Sequence, residues 1–214
     1  MASKTGAVSE RVVARLSQYR RLLNVLAAEG ATHVVSRELA RLAGRTAAQV
    51  RRDLMALGYA GSSARGYEVA GLLSSIRDFL DEPGGQGVAL VGVGNLGKAL
   101  LTHFTGRRPN LAIAAAFDSD PSKANRTINR CRVWSMDRLK DVLTSRGIRV
   151  AIIAVPPEAA QPVAEALAEA GVRGILNFAP VRLRVPEGVY VEDLDMTVSL
   201  EKVAYFARRG TAAP

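Results

Sequence analysis

The 214-residue sequence predicts an α/β protein in two domains, an N-terminal winged helix-turn-helix over residues 1–80 and a C-terminal Rossmann domain, a doubly wound parallel sheet, over residues 81–214. Three observations predict it. Apolar residues recur at helical spacing in the first part, whereas the second alternates uninterrupted apolar strands with helical segments. A glycine-rich turn, Gly92-Val93-Gly94-Asn95-Leu96-Gly97, follows the first of those strands and opens a helix. Between the two parts lies Asp81-Glu82-Pro83-Gly84-Gly85-Gln86, a run of turn formers.

In the first part, Val12, Leu16, Tyr19, Leu23 and Leu26 share one face of a helix that Gly30 ends. Ser36 reads as the N-cap of a short second helix through Ala43, which Gly44 stops, and Thr46 as the N-cap of a third, Ala47 to Leu57, ended by Gly58. Tyr59 to Ser62 and Gly66 to Ala70 read as two short strands of a hairpin. Three helices followed by a small hairpin is the order of a winged helix-turn-helix. In the second part the expected strands are Gly87 to Val91, Ala112 to Phe117, Val150 to Val155, Gly174 to Asn177 and Val189 to Val191. The expected helices are Asn95 to Phe104, Met136 to Leu143, Glu158 to Ala170 and an amphipathic C-terminal one, Leu194 to Arg208.

Composition narrows the function. Hydrophobic residues make up 48% and charged residues 23%, an ordinary globular balance. No apolar run approaches the roughly 20 residues of a membrane-spanning helix, and Met1 to Ser9 lacks the apolar stretch of a signal peptide. Cys131 is the single cysteine, so no internal disulfide forms, and a reducing, cytoplasmic setting is expected. Residues 1–80 hold 12 Lys/Arg against 6 Asp/Glu and so carry +6 of the net +9. A small domain with that excess is an electrostatic footprint for phosphates, whose neutralisation releases counterions.

The glycine turn fits a dinucleotide. In such a turn the first glycine makes the bend, the second lets backbone approach a pyrophosphate, and the third lets helix pack on strand. The anion then sits at a helix N-terminus, where free N–H groups and the macrodipole favour negative charge. Asp118, at the end of the next strand, is placed to accept hydrogen bonds from ribose hydroxyls and to disfavour a 2′-phosphate, which points to NADH/NAD⁺. Lys123, Arg126 and Arg130 nearby soften that preference against NADPH. Val155, Pro156 and Phe178 are the expected surroundings of the nicotinamide, an apolar pocket that suits the neutral reduced ring and penalises the charged oxidised one, and Lys123 and Asn177 are further candidates for cofactor binding.

No acid–base, nucleophilic or metal-ligand grouping accompanies this turn: His33 and His103 stand far apart, and no substrate domain is expected. The expected protein is therefore not an enzyme. On the third helix, Val50, Leu54 and Leu57 face the core and Gln49, Arg51, Arg52 and Asp53 are expected to look outward. Arg and Gln are readers of guanine and adenine in the major groove. Thr46, Tyr59 and Arg65 complete the expected DNA-contacting set.

Together these residues resemble the Rex family of bacterial redox-sensing transcriptional repressors over nearly the whole chain. The strongest match is Ile175-Leu176-Asn177-Phe178-Ala179-Pro180-Val181-Arg182-Leu183-Arg184-Val185-Pro186. Gly92 to Gly97, Phe117 to Lys123, Val155 to Gln161, Gln49 to Leu54 and Gly66-Tyr67 support it. The resemblance implies a homodimer on palindromic operator DNA, with the C-terminal helix swapped between protomers. It implies release of the operator by NADH, with NAD⁺ competing while leaving the DNA-competent form available. It also implies a switch of an arginine in the first helix, a tyrosine after the glycine turn and an aspartate in the swapped helix. The first and last fall on Arg21 and Asp195, whereas the tyrosine position holds His103. The wing departs too, Gly61-Ser62-Ser63-Ala64-Arg65-Gly66 standing where the family has Gly-Thr-Arg-Gly-Val-Gly. Three other readings stay open from the residues themselves: a ligand-gated or constitutive DNA binder with weakened NADH/NAD⁺ discrimination, a compact NAD-dependent oxidoreductase, and a nucleotide- or CoA-binding module.

Overall fold

Glu10–Ala28 forms the long first helix, α1, of the computed structural model, in which residues 8–62, 65–104 and 111–209 are described. Two units, residues 1–83 and 84–214, each enclose their own core.

In the N-terminal unit, α1 is followed by a two-residue strand, β1 (His33–Val34), and by helices α2 (Ser36–Ala43) and α3 (Ala47–Ala56). Gly44 ends α2 in the left-handed region at φ +63°, a conformation that glycine adopts without steric cost. Thr46 caps α3 as expected, its hydroxyl accepting the Gln49 N–H at 3.2 Å. Ser36 does not cap α2. It is the first helical residue, and its hydroxyl accepts from Arg51 Nη1 instead.

The expected hairpin is also corrected. Tyr59–Ser62 is no strand, and only an isolated bridge joins Ser62 to Gly66, with Ser63 and Ala64 outside the described residues. The second strand, β2 (Tyr67–Glu68), pairs antiparallel with β1, and Val69–Leu80 is a helix, α4. The reason is packing. Val69, Leu72 and Ile76 form a buried stripe that closes the core against Leu16, Tyr19 and Leu23 of α1. Each of these side chains contributes roughly 1.5–3 kcal/mol of transfer free energy, offset by the entropy of ordering it.

In the C-terminal unit, strands β3 (Gln86–Val91), β4 (Leu111–Asp118), β5 (Thr127–Ile128), β6 (Cys131–Ser135), β7 (Val150–Ile153), β8 (Gly174–Asn177) and β9 (Tyr190–Asp193) form one sheet. Its order is β5-β6-β4-β3-β7-β8-β9, parallel throughout except for the β5–β6 hairpin at one edge. Without that hairpin strand this is the doubly wound order 3-2-1-4-5-6. Helices α5 (Asn95–Phe104), α6 (Leu139–Ser145), α7 (Pro157–Glu169) and α8 (Met196–Arg209) complete the unit.

Side chains along β3 alternate between two cores. Val88 and Leu90 join Leu101 of α5 on one face; Ala89 and Val91 join Leu143 of α6 and Leu167 of α7 on the other. On the α5 face, Leu176 and Phe178 are only half-buried. Beside Phe178 begins α8, whose Leu200 and Val203 are 68% and 65% exposed. No helix among the described residues is long and apolar enough to cross a membrane.

Candidate functional site

The sheet order reverses between β3 and its neighbour β7, so a crevice is expected beyond the C-terminal ends of these two paired strands, where their connections leave to opposite sides. The glycine turn lies at that point, and its three glycines do three different jobs. Gly92 has φ +95°, and a Cβ there would strike the carbonyl oxygen of Ala154 and lie 2.9 Å from Val155 Cγ1. A Cβ on Gly97 would strike the carbonyl oxygen of Gly92, so α5 could not approach the strand so closely with any other residue. A Cβ on Gly94 would meet nothing within 4 Å. Gly92 and Gly97 are thus required by packing, whereas Gly94 leaves bare backbone facing open space. Val93 is fully buried, Asn95 exposed and Leu96 half-buried, so the open part of the turn is Gly94-Asn95, at the start of α5. A pyrophosphate fits this cradle on the N–H groups of the helix N-terminus.

Asp118 ends β4 with 7% of its surface exposed. Its Oδ2 accepts the Val93 N–H at 2.7 Å and Lys123 Nζ at 3.2 Å; its Oδ1 accepts the Asp120 N–H at 2.9 Å. Three of the roughly four acceptor positions of the carboxylate are therefore used, leaving about one for a ribose hydroxyl. The hydrogen bond to Asp118 holds the Lys123 ammonium charged to higher pH than an ordinary lysine, against a smaller opposing effect of burial. Val155 is half-buried and Pro156 exposed just after β7. Phe178 is half-buried and lines an apolar hollow with Leu194, Met196, Leu200 and Val203. Asn177 is placed differently from expectation. Its side chain is buried, donating to Ala179 O, Val181 O and Asp193 Oδ1 and accepting the Ala179 N–H. It positions the Phe178 segment and has no free face for a ligand.

On α3, Asp53 does not look outward. It is 2% exposed and accepts Arg15 Nε and Nη2 at 2.6 and 2.7 Å, Tyr19 Oη at 2.9 Å and Gln49 Nε2 at 2.8 Å. Burial pushes the Asp53 carboxyl up, but the bonds from Arg15, Gln49 and Tyr19 outweigh it and hold the group below the ordinary carboxylate range. Burial and the Asp53 charge together push the Tyr19 hydroxyl well above the usual tyrosine value. An ionised carboxylate accepts only, so Gln49 must turn its nitrogen to Asp53, and its Oε1 accepts Arg52 Nη2 at 3.0 Å. Gln49 and Arg52 thus present one oriented polar surface, with Arg51 exposed beside it.

Arg15 escaped the sequence reading, which placed Tyr19 in the core but not as a donor to Asp53. The signal for them was Asp53 itself, which shares the core stripe of Val50, Leu54 and Leu57 and had to find partners there. Tyr59 belongs to the packing: its ring lies 6.3 Å from that of Tyr67 and its hydroxyl donates to Glu68 O at 3.4 Å. Arg65 is exposed, its backbone N–H donating to Ser62 Oγ.

The three expected switch residues lie on separate elements. Arg21 is exposed on α1, and His103 is exposed in the last turn of α5, its ring edge-on to Phe104 at 5.1 Å. Asp195 precedes α8 rather than lying in it. Its Oδ1 accepts the N–H groups of Thr197 and Val198, which is why the helix starts at Met196 and not at Leu194.

Two family models match the chain, one described as "Putative DNA-binding protein N-terminus" over residues 7–54 and one as "CoA binding domain" over residues 85–181. A protein from Roseiflexus sp. named redox-sensing transcriptional repressor Rex is 41% identical over 198 residues, 92% of this chain and 90% of that protein. The chain belongs to the Rex family of redox-sensing transcriptional repressors. Among solved Rex structures, the repressor RSP in complex with NAD⁺ and operator DNA matches with a TM-score of 0.87 and 30% identity, covering 96% of this chain and 95% of that one. RSP in complex with NADH matches with a TM-score of 0.82 and 29% identity, covering 96% and 97%. The Rex match spans both units, so the basic helical unit and the dinucleotide-type sheet belong to one architecture.

Proposed function

We propose that this chain is a redox-sensing repressor that binds palindromic operator DNA as a homodimer and is released from it by NADH. The observation that carries the reading is the open Gly94 backbone at the sheet's switch point, in the same chain as the oriented Gln49–Arg52 surface. Each is the binding element of a different ligand. The complexes of RSP with NADH and with NAD⁺ plus operator DNA support both ligands for one fold.

In this reading Gly92 to Gly97 hold the pyrophosphate, Asp118 takes a ribose hydroxyl with its remaining acceptor position, and Val155, Pro156 and Phe178 surround the nicotinamide. The N-terminal unit acts as a winged helix, with Thr46, Gln49, Arg51, Arg52 and Arg65 on the DNA side. The protein works as a regulator, not a catalyst, in the cytoplasm.

The dimer rests on α8. Its exposed Leu200 and Val203 and the half-buried Leu176 and Phe178 need a cover, which a swapped α8 of a second copy supplies. Arg21, His103 and Asp195 are the switch residues of this reading; Asp195 uses only Oδ1 as a cap, and its Oδ2 has no partner among the described residues. A ligand shifts an equilibrium between arrangements only by its differential affinity for them, about 1.4 kcal/mol for each tenfold.

The test is fluorescence anisotropy of a labelled operator duplex titrated with each nucleotide. NADH should dissociate the complex at concentrations where NAD⁺ does not. Equal effects of the two would leave only a ligand-gated or constitutive DNA binder. The family model described as a CoA binding domain makes CoA the control ligand: release by CoA and not by NADH would replace the redox reading.

A further inference from the structure

We infer that the N-terminal unit holds a preformed seat for a DNA backbone phosphate in a recess between α1 and the turn that leads into α3. Residues Arg11, Ala14, Arg15 and Gln18 line one wall, and Arg45 the other, around a cavity of about 450 Å³. The first four stand at i, i+3, i+4 and i+7, so they share one stripe of α1, and the small Ala14 keeps the recess open.

The walls are fixed by the fold. Gln18 Nε2 donates to Ala43 O at 3.1 Å, tying α1 to the end of α2. The backbone N–H of Arg45 donates to Ala40 O at 2.9 Å, and left-handed Gly44 sets the direction in which the turn leaves the helix.

The charge balance in the recess is uneven. Of the three guanidinium groups, Arg15 is spent bidentately on Asp53. Arg11 and Arg45 are exposed, and neither guanidinium has a hydrogen bond or ion pair with a described residue. Two uncompensated guanidiniums in one fixed concavity select an anion with several acceptor oxygens, and a phosphodiester is that kind of group.

The position selects nucleic acid over other phosphates. Arg15 links through Asp53 to Gln49 and from there to Arg52, so the recess adjoins the reading surface at one remove. Arg45 directly precedes the cap of α3. When the first turn of a helix enters a major groove, the flanking backbone passes the residues just before it, and phosphate contacts there fix the register of the helix without reading sequence.

This inference rests on the proposed DNA binding, and one experiment separates the two. Operator and non-specific duplex affinities are measured across a salt series for wild type, Arg11→Gln/Arg45→Gln, and Arg173→Gln, a single-charge control at an exposed arginine of the C-terminal unit. Thermal unfolding checks that each variant is folded. The double variant should lose about two units from the slope of log affinity against log salt, one for each seat of the dimer, with at least tenfold weaker binding to both duplexes and an unchanged operator preference; Arg173→Gln should match wild type. A double variant with the wild-type slope, or one whose loss is confined to the operator, overturns the seat while leaving the DNA-binding reading intact. A wild-type protein that binds neither duplex overturns both.

Discussion

Asp53 in the N-terminal unit and Asp118 in the C-terminal unit are both buried carboxylates, and each is held by a different class of donor. Asp53 takes only side chains, Arg15 and Tyr19 from α1 and Gln49 from its own helix. Asp118 takes two backbone N–H groups, those of Val93 and Asp120, and one lysine. A carboxylate held by side chains from another element ties elements together, and its loss is paid in stability. One held by backbone donors shapes a loop, and its loss falls on whatever that loop binds. Helix α3 therefore depends on a tertiary tether, the glycine turn on a local one.

That contrast can be broken most sharply at Arg15. Arg15→Ala strands the buried Asp53 charge and should destabilise the N-terminal unit by about 3 kcal/mol or more, measured as a lower denaturant midpoint, with DNA binding lost and NADH binding kept. A midpoint within about 0.5 kcal/mol of wild type would make the pair an ornament.

The same tether predicts a pH dependence. The folded-state pKa of Asp53 is depressed, so its stabilisation is fully present above the ordinary aspartate value of about 3.9 and is lost as pH falls through the lower folded value. Below pH 4 wild type should therefore lose stability more steeply than Asp53→Asn. Parallel curves would count against an ionised, paired Asp53.

Asp118→Ala should act on the other side of the comparison. Freeing the Val93 N–H and Lys123 should weaken NADH binding about 5- to 150-fold, from roughly 1–3 kcal/mol of unmet hydrogen bonding, while operator affinity without nucleotide stays at the wild-type level. Calorimetry of NADH with the variant checks it, and loss of DNA binding in the apo protein would mean that Asp118 is a general stability residue. The smallest effect is expected at His103→Tyr, which restores the family's tyrosine. It should raise the ratio of NAD⁺ to NADH concentrations needed for operator release by a few fold, and no change would remove that position from the switch.

Much of this arrangement is legible in the residues because its causes are local. The strand–turn–helix placement of the glycine turn reads correctly since Gly92 and Gly97 answer close backbone approaches, and α1, α2 and α3 follow from apolar spacing and from Gly44, Thr46 and Gly58. What stays hidden depends on distant partners or on masked signals. The β1–β2 pair is only two residues long on each side and joins positions far apart in sequence, which no period reveals. Helix α4 carries a clear stripe in Val69, Leu72 and Ile76, but Gly71 interrupts it as a breaker. A Cβ on Gly71 would meet the Tyr59 hydroxyl at 2.5 Å, so that side-chain end would have to shift. The β5–β6 hairpin turns on Asn129 and Arg130 at φ +48° and +65°. Two positive φ values fit a type I′ turn, yet arginine stands where glycine would announce it. In the site, the outward placement of Asp53 failed and the burial of Asn177 went unforeseen for one reason: a polar residue on a buried stripe is defined by partners that only the fold supplies.

The central claim is that reduced dinucleotide in one unit repositions the other across a dimer. Spin labels at Ala28→Cys, an exposed site at the end of α1, with the buried Cys131 replaced by alanine, would report the distance between the two N-terminal units by pulsed electron resonance. Saturating NADH should shift the distance distribution and NAD⁺ should leave it at the DNA-competent spacing. The same distribution with either nucleotide and with none would contradict the account.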